Sequence, residues 1–113
     1  MFKRMTIVAR KPGLSDDEFL RRWKVRHAEM VLSLPGVRGY TQNVVTDGAT
    51  EQARLRPIDG FAEIWFDDEA AMAAALNTDL WAAIVADARE FLGEISGYAV
   101  EENVRRKASE GRA

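Results

Sequence analysis

A chain of 113 residues, 47% apolar and 30% charged, has the size and balance of one globular domain with a modest core. A formal net charge of −2 gives no basis for gripping a phosphate backbone, and the absence of cysteine excludes disulfides, thiol catalysis and thiolate metal sites. No segment combines the length and apolarity of a membrane span, and the apolar run Met5–Ala9 is too short for a signal-peptide core, so a cytoplasmic protein with no membrane or nucleic-acid partner is expected.

Phe2 to Arg10 reads as a first strand. Met5, Thr6, Ile7, Val8 and Ala9 are apolar or β-favouring at both parities, which predicts cover on both faces. Lys11-Pro12-Gly13 breaks the strand. The stretch from Leu14 to Gly36 then carries both a helix start and a helix stop. Ser15 and Glu18 form a capping box, and Asp16, Asp17 and Glu18 set negative charge at the positive end of the helix dipole. Pro35-Gly36 ends it, which gives a helix over 16–33. Phe19, Leu20, Trp23, Met30, Val31 and Leu34 fall on one stripe at helical spacing. His27, the only histidine of the chain, lies inside that stripe, four residues after Trp23.

Val37 to Val45 is read as the second strand. Neither parity is cleanly apolar, so one side is expected to line something wet or polar. The connection Thr46–Asp59 has turn residues and no period, and is read as structureless, either a functional segment or a flexible hairpin tip. Gly60 to Phe66 is the third strand, with Ala62, Ile64 and Phe66 on one face and Phe61, Glu63 and Trp65 on the other. Asp67 or Asp68 can cap a second helical region over 69–92, interrupted near Asn77-Thr78-Asp79, with Asp79 as its second cap. Met72, Leu76, Leu80, Ile84, Ala88 and Phe91 mark its core stripe, and Gly93 reads as its stop. Gly97 to Val104 is the fourth strand. Residues 1–104 thus form a single domain, and 105–113, basic, small and polar, a flexible tail.

The order β-α-β-β-α-β is that of an α+β ferredoxin-like sandwich, a four-stranded antiparallel sheet with its helices on one face. The other face carries Phe61 and Trp65. An exposed apolar sheet face calls for a partner, and a second copy about a two-fold axis is the commonest one. A homodimer of facing sheets is therefore expected, with Phe61, Glu63 and Trp65 in its interface.

Candidate chemistry centres on His27 and Tyr40. A titratable ring on an apolar helix face, with an unperturbed pKa near 6.5, suits general acid–base work if it meets a cavity, and is otherwise a buried structural histidine. Tyr40 lies on the strand returning beside that helix, where a phenol can donate to a developing oxyanion or simply fill the rim. Trp23, Gln42, Ile64 and Arg54 are the candidate substrate-binding residues. Trp23 can wall a pocket, Gln42 shares the parity of Tyr40, Ile64 belongs to the apolar face of strand three, and Arg54, with Arg56, can close over an anionic group unless both are solvated loop charges. One histidine without cysteine gives a zinc or haem site little support, and there is no phosphate loop, dinucleotide fingerprint or nucleophile elbow. No metal and no cofactor are expected.

Arg10-Lys11-Pro12-Gly13-Leu14-Ser15, Glu18-Phe19, Trp23, His27-Ala28, Leu34-Pro35-Gly36 and Tyr40, with Asp59-Gly60-Phe61-Ala62-Glu63-Ile64-Trp65-Phe66-Asp67, resemble the EthD-like family of the dimeric α+β barrel superfamily over residues 2–104. The resemblance implies a ferredoxin-like protomer, sheets paired in a dimeric α+β barrel, and a pocket between each sheet and its own helices. It implies small cofactor-independent enzymes, lyases and isomerases among them (dehydratase, isomerase or cyclase type), acting on a small oxygenated, lactone or aromatic compound. It also implies an alternative, a non-catalytic small-molecule-binding or accessory protein. His27 matches the helix-one acid–base position and Tyr40 the strand-two pocket tyrosine. Methylmuconolactone-isomerase-like members carry a second histidine in the long loop, and this chain has none between Thr46 and Asp59. That departure leaves a one-histidine mechanism, such as dehydration or enolisation.

Overall fold

The strand β1 (Phe2–Arg10) lies inside the sheet because both its edges are paired, with β3 (Gly60–Phe66) on one side and β4 (Leu92–Glu101) on the other. The strand β2 (Gly39–Val44) adds to β3, giving the order β2-β3-β1-β4 with every pair antiparallel. This arrangement comes from a computed structural model that describes residues 1–108; most of the tail expected over 105–113 lies outside the described residues.

The first helix starts where its caps require. The Ser15 hydroxyl accepts from the Glu18 amide at 3.1 Å, and the Glu18 carboxylate accepts from the Ser15 amide at 3.4 Å. Its course differs from the regular helix expected over 16–33. After α1 (Asp16–Arg21) comes a π-helical segment (Arg22–His27), then α2 (Ala28–Leu32). A π turn bonds i→i+5 and widens the helix, a change that spacing of apolar residues does not register. Trp23 and His27, both inside this segment, are buried.

Three other features correct the sequence reading. The connection 46–59 contains a short helix, α3 (Glu51–Arg54), because the Thr50 hydroxyl caps the Ala53 amide at 3.2 Å. The second helical region divides as expected into α4 (Glu69–Leu76), capped by Asp68, and α5 (Asp79–Phe91), but Thr78 rather than Asp79 caps the latter. Gly93 is not a stop. Leu92 follows α5 directly into β4, which pairs with the whole length of β1 from Phe2 opposite Glu101 to Arg10 opposite Leu92, with a register shift at Ala9/Arg10. Ladder pairing with a nine-residue partner, not local propensity, starts this strand five residues before Gly97.

The helices cover one face of the sheet. Val8, Phe19, Trp23, Ala62, Ala88, Phe91 and Leu92 form one buried cluster, and Val31, Leu34, Ile64, Phe66, Met72, Ala75 and Ile84 another. Tyr40 packs against both. The Trp23 ring packs directly against Gly60: a Cβ there would fall 2.7 Å from Trp23 Cζ3 and 2.8 Å from the Asn43 carbonyl oxygen. Gly60→Ala is therefore expected to lower stability by about 1–3 kcal/mol through overpacking, measured as a shift of the denaturation midpoint.

On the opposite face Phe61, Glu63 and Trp65 project together, as their parity requires. Glu63 accepts from Lys3 Nζ at 2.7 Å and from Asn43 Nδ2 at 3.2 Å, so its ion pair is made within the chain. Phe61 and Tyr98 are exposed.

Candidate functional site

His27 and Asp87 meet across two helices. The π-helical segment turns the His27 ring inward, and α5 presents Asp87 one turn after Ile84 and one turn before Phe91. His27 Nδ1 lies 3.0 Å from Asp87 Oδ2. The two residues are 6% and 4% exposed, so this is a polar pair inside the core rather than on its rim. The His27 and Phe91 rings meet in a T-shaped contact, 5.7 Å between centroids.

The pairing fixes the tautomer. A carboxylate can only accept, so Nδ1 carries the hydrogen and Nε2 keeps its lone pair. Nε2 makes no hydrogen bond to the protein among the described residues, and the ring borders a cavity. Burial pushes the His27 pKa below its ordinary 6.5; Asp87 opposes that shift and Arg22 adds to it. The imidazole is consequently neutral at pH 7. Asp87 Oδ1 is approached by Arg22 Nη2 and Arg26 Nε, each at 3.5 Å, which supplies the positive charge that a buried carboxylate requires.

The cavity lies between the sheet and its own helices. Thr6, Val8, Tyr40, Ala62 and Ile64 form its sheet wall, with Trp23, His27 and Val31 on the first helix and Trp81, Ile84 and Val85 on α5. Ile95, an exposed residue of β4, lies at its edge. Its volume is about 30 Å³, room for about one water.

Tyr40 is set up as a donor. Gln42 Nε2 donates both to the Tyr40 hydroxyl and to the Trp23 carbonyl, each at 2.9 Å. The carbonyl can only accept, so the amide nitrogen must point this way. The phenol oxygen then receives a hydrogen, and its own O–H has no acceptor among the described residues. Burial pushes the Tyr40 pKa up to about 12, so the hydroxyl keeps its proton at neutral pH.

Residues 11–94 match the family model described as the EthD domain. The chain belongs to the EthD family. Solved structures similar to this EthD chain agree on its fold. An ethyl tert-butyl ether D (EthD) family protein from Bacillus halodurans shares 20% identity, with a TM-score of 0.73, 91% of this chain covered and 100% of that one. A DABB family protein with a ferredoxin-like fold from Mesorhizobium loti shares 14%, with a TM-score of 0.71 and coverage of 90% and 96%. A dimeric ferredoxin-like protein of unknown function from Thermobifida fusca shares 11%, with a TM-score of 0.67 and coverage of 88% of each chain. Among curated proteins none matches the sequence. At these identities the structural neighbours establish the ferredoxin-like fold of the protomer and no chemistry.

In the EthD chain, His27, Tyr40, Trp23 and Ile64 are brought to one cavity, and Gln42 stands behind Tyr40. Arg54 is not brought there. It is exposed on α3 and borders a separate surface hollow with Val45, Ala49, Ala53, Pro57 and Ile58. Arg56 pairs with Glu94 instead. Asp87 is the residue that the reading of the sequence missed, and a signal for it existed. It sits on the stripe Ile84, Ala88, Phe91 as an acid on an apolar helix face, the same anomaly that marks His27. No group of three His, Asp or Glu side chains among the described residues could hold a metal ion, and no helix there is long and apolar enough to cross a membrane.

Proposed function

We propose that this EthD protein is a small cofactor-independent acid–base enzyme of the dehydratase, isomerase or cyclase type, acting on a small oxygenated, lactone or aromatic compound. The observation that carries this reading is the buried His27–Asp87 pair at the wall of a cavity shared with Tyr40. In the proposed step Nε2 takes a proton from the carbon next to a carbonyl, while the Tyr40 hydroxyl donates to the oxygen on which negative charge develops. Asp87 holds the tautomer and balances the imidazolium. The proton on His27 is then returned, to a leaving hydroxyl in a dehydration or to a second carbon in an isomerisation. The cysteine-free sequence supports a cytoplasmic setting.

A second reading, a non-catalytic binding or accessory module, is favoured by the apolar lining and small volume of the cavity. Turnover assays on a panel of lactones and hydroxy-carbonyl compounds separate the two. Turnover that His27→Gln removes without unfolding supports the enzyme. A wild type that turns nothing over, with a ligand still bound by His27→Gln, supports the binder.

The low His27 pKa has a definite sign. A base must be unprotonated, so turnover is expected to be level above about pH 6.5 and to fall as pH drops below it. Stability follows the same direction. The unfolded chain protonates its histidine first, so folding stability is lost as pH falls from about 6.5 toward the lower folded pKa, by at most about 1.4 kcal/mol per pH unit. Urea unfolding of the wild type and His27→Gln between pH 5 and pH 8, values chosen to bracket about 6.5, checks this: the variant is expected to lack that component.

The proposed homodimer uses the sheet face that carries Phe61, Trp65 and Tyr98, two of which are exposed in the protomer. Size exclusion with light scattering is expected to give a dimer mass at micromolar concentration, and Phe61→Glu a monomer. A wild-type monomer would overturn the assignment.

A further inference from the structure

Arg4 is the one charged residue on the helix-facing side of β1 between Phe2 and Val8, a side it shares with Thr6 and Val8 of the cavity wall. Its cross-strand neighbours are Ile64 on β3 and Ala99 on β4, neither of which offers an acceptor side chain. Its guanidinium lies over the Trp81 ring at 5.2 Å from the centroid, and Trp81 is itself part of the cavity wall. Arg4 makes no ion pair among the described residues, and its Nε is buried with no hydrogen-bond partner. Burial pushes the guanidinium pKa down, with no carboxylate acting against it. The other half-buried arginines on the helix side, Arg10 and Arg22, each face a carboxylate.

The space that Arg4 occupies exists because position 97 is glycine. A Cβ there would overlap the guanidinium. The planar fork is thus held between the Trp81 face and the bare backbone of β4 at Gly97, the residue paired across the ladder with Thr6 of the cavity wall. A partly desolvated and unpaired guanidinium of this kind is a strong donor to a planar anion, because charge-assisted, bidentate hydrogen bonds gain most where water is excluded.

We propose that Arg4 binds a carboxylate or comparable planar oxyanion of the molecule whose body enters the His27 cavity. This assignment rests on the reading of that cavity as a ligand site and adds the substrate class, an organic acid. The apolar body lies against Trp81, Ile84 and Ile95, and the anionic end is held by the guanidinium. Cavity and cation together then orient the carbon to be deprotonated toward Nε2 of His27. The cavity wall must open for such a body, and its outer edge is made by the half-buried Trp81 and Val85 and the exposed Ile95.

Benzoate and benzamide, equal in shape and different in charge, test the assignment. Titrations of the full chain are followed by the NMR signals of the Trp81 indole and the His27 ring. Benzoate is expected to bind about tenfold or more tightly than benzamide and to move both signals. Arg4→Met is expected to remove that preference, and Arg4→Lys to remove most of it, with benzamide affinity unchanged. Gly97→Ala, which keeps the arginine and displaces its fork, is expected to weaken benzoate alone and serves if Arg4→Met does not fold. Equal binding of the two probes, or a benzoate preference that survives Arg4→Met or, failing that, Gly97→Ala, would overturn the role of Arg4 and leave the cavity reading standing. Failure of both probes to move the His27 signal would overturn the cavity reading and the proposal with it.

Discussion

His27→Ala is expected to lower turnover by about 10²–10⁴-fold, the contribution of a positioned general base, while the protein stays folded. The ring is buried beside Phe91, so its removal leaves a void and takes from Asp87 Oδ2 its donor. His27→Gln keeps a donor within reach of Asp87 and more of the volume, but has no lone pair of suitable basicity at the position of Nε2. The two variants are therefore expected to lose turnover alike and stability unequally, with alanine the less stable. Steady-state rates on a compound that the wild type converts, read beside denaturation midpoints, check both statements. A variant that turns over at the wild-type rate would remove His27 from the chemistry and leave it a core residue.

Asp87→Asn is expected to reduce turnover by a comparable factor through a different cause. In the proposed mechanism Asp87 is a positioning residue that acts through the ring. An asparagine oxygen can still accept from Nδ1–H, so the tautomer survives, but the charge that favours the imidazolium is gone. Arg22, which keeps its pair with Glu90, and Arg26 would then face a neutral amide in place of Asp87 Oδ1. The His27 pKa, which Asp87 raises, is then expected to fall further, and the acid limb of the pH–rate profile to move to lower pH. A merely structural role for Asp87 would lower the rate without moving that limb. Asp87→Ala leaves Nδ1–H with no acceptor in a buried site and is expected to cost about 1–3 kcal/mol of stability, against less for asparagine, measured by urea unfolding.

Local chemistry made much of this molecule legible. The capping box of Ser15 and Glu18, the stop at Pro35-Gly36 and the alternation of Gly60–Phe66 are written in neighbouring residues, and the elements they predict are present. The positions of His27 and Tyr40 toward one another also follow from local periodicity, because a helix stripe and a strand parity each point a side chain to a known face. Arg4 was open to the same reasoning. It shares its parity with Phe2, Thr6 and Val8, but a strand apolar at both parities further along hides one inward cation. The opposite happened at Arg54, where a charge in a long connection resembles a ligand clamp and packing carries it to another surface.

By itself, then, the sequence determined the four strands and the two main helical regions, their order, and that a titratable ring must face the sheet, since caps, turns and periodicity act between residues a few positions apart. Only the tertiary structure decided what that ring meets. His27 and Asp87 are separated by 60 positions, and a pair so distant forms only when α5 packs beside the first helix at one angle and rotation. The same holds for the π turn that carries His27, for the early start of β4 along β1, and for the glycine at 97 that makes room for Arg4. Each depends on close packing between chain segments, where a shift of one residue's volume changes which atoms touch.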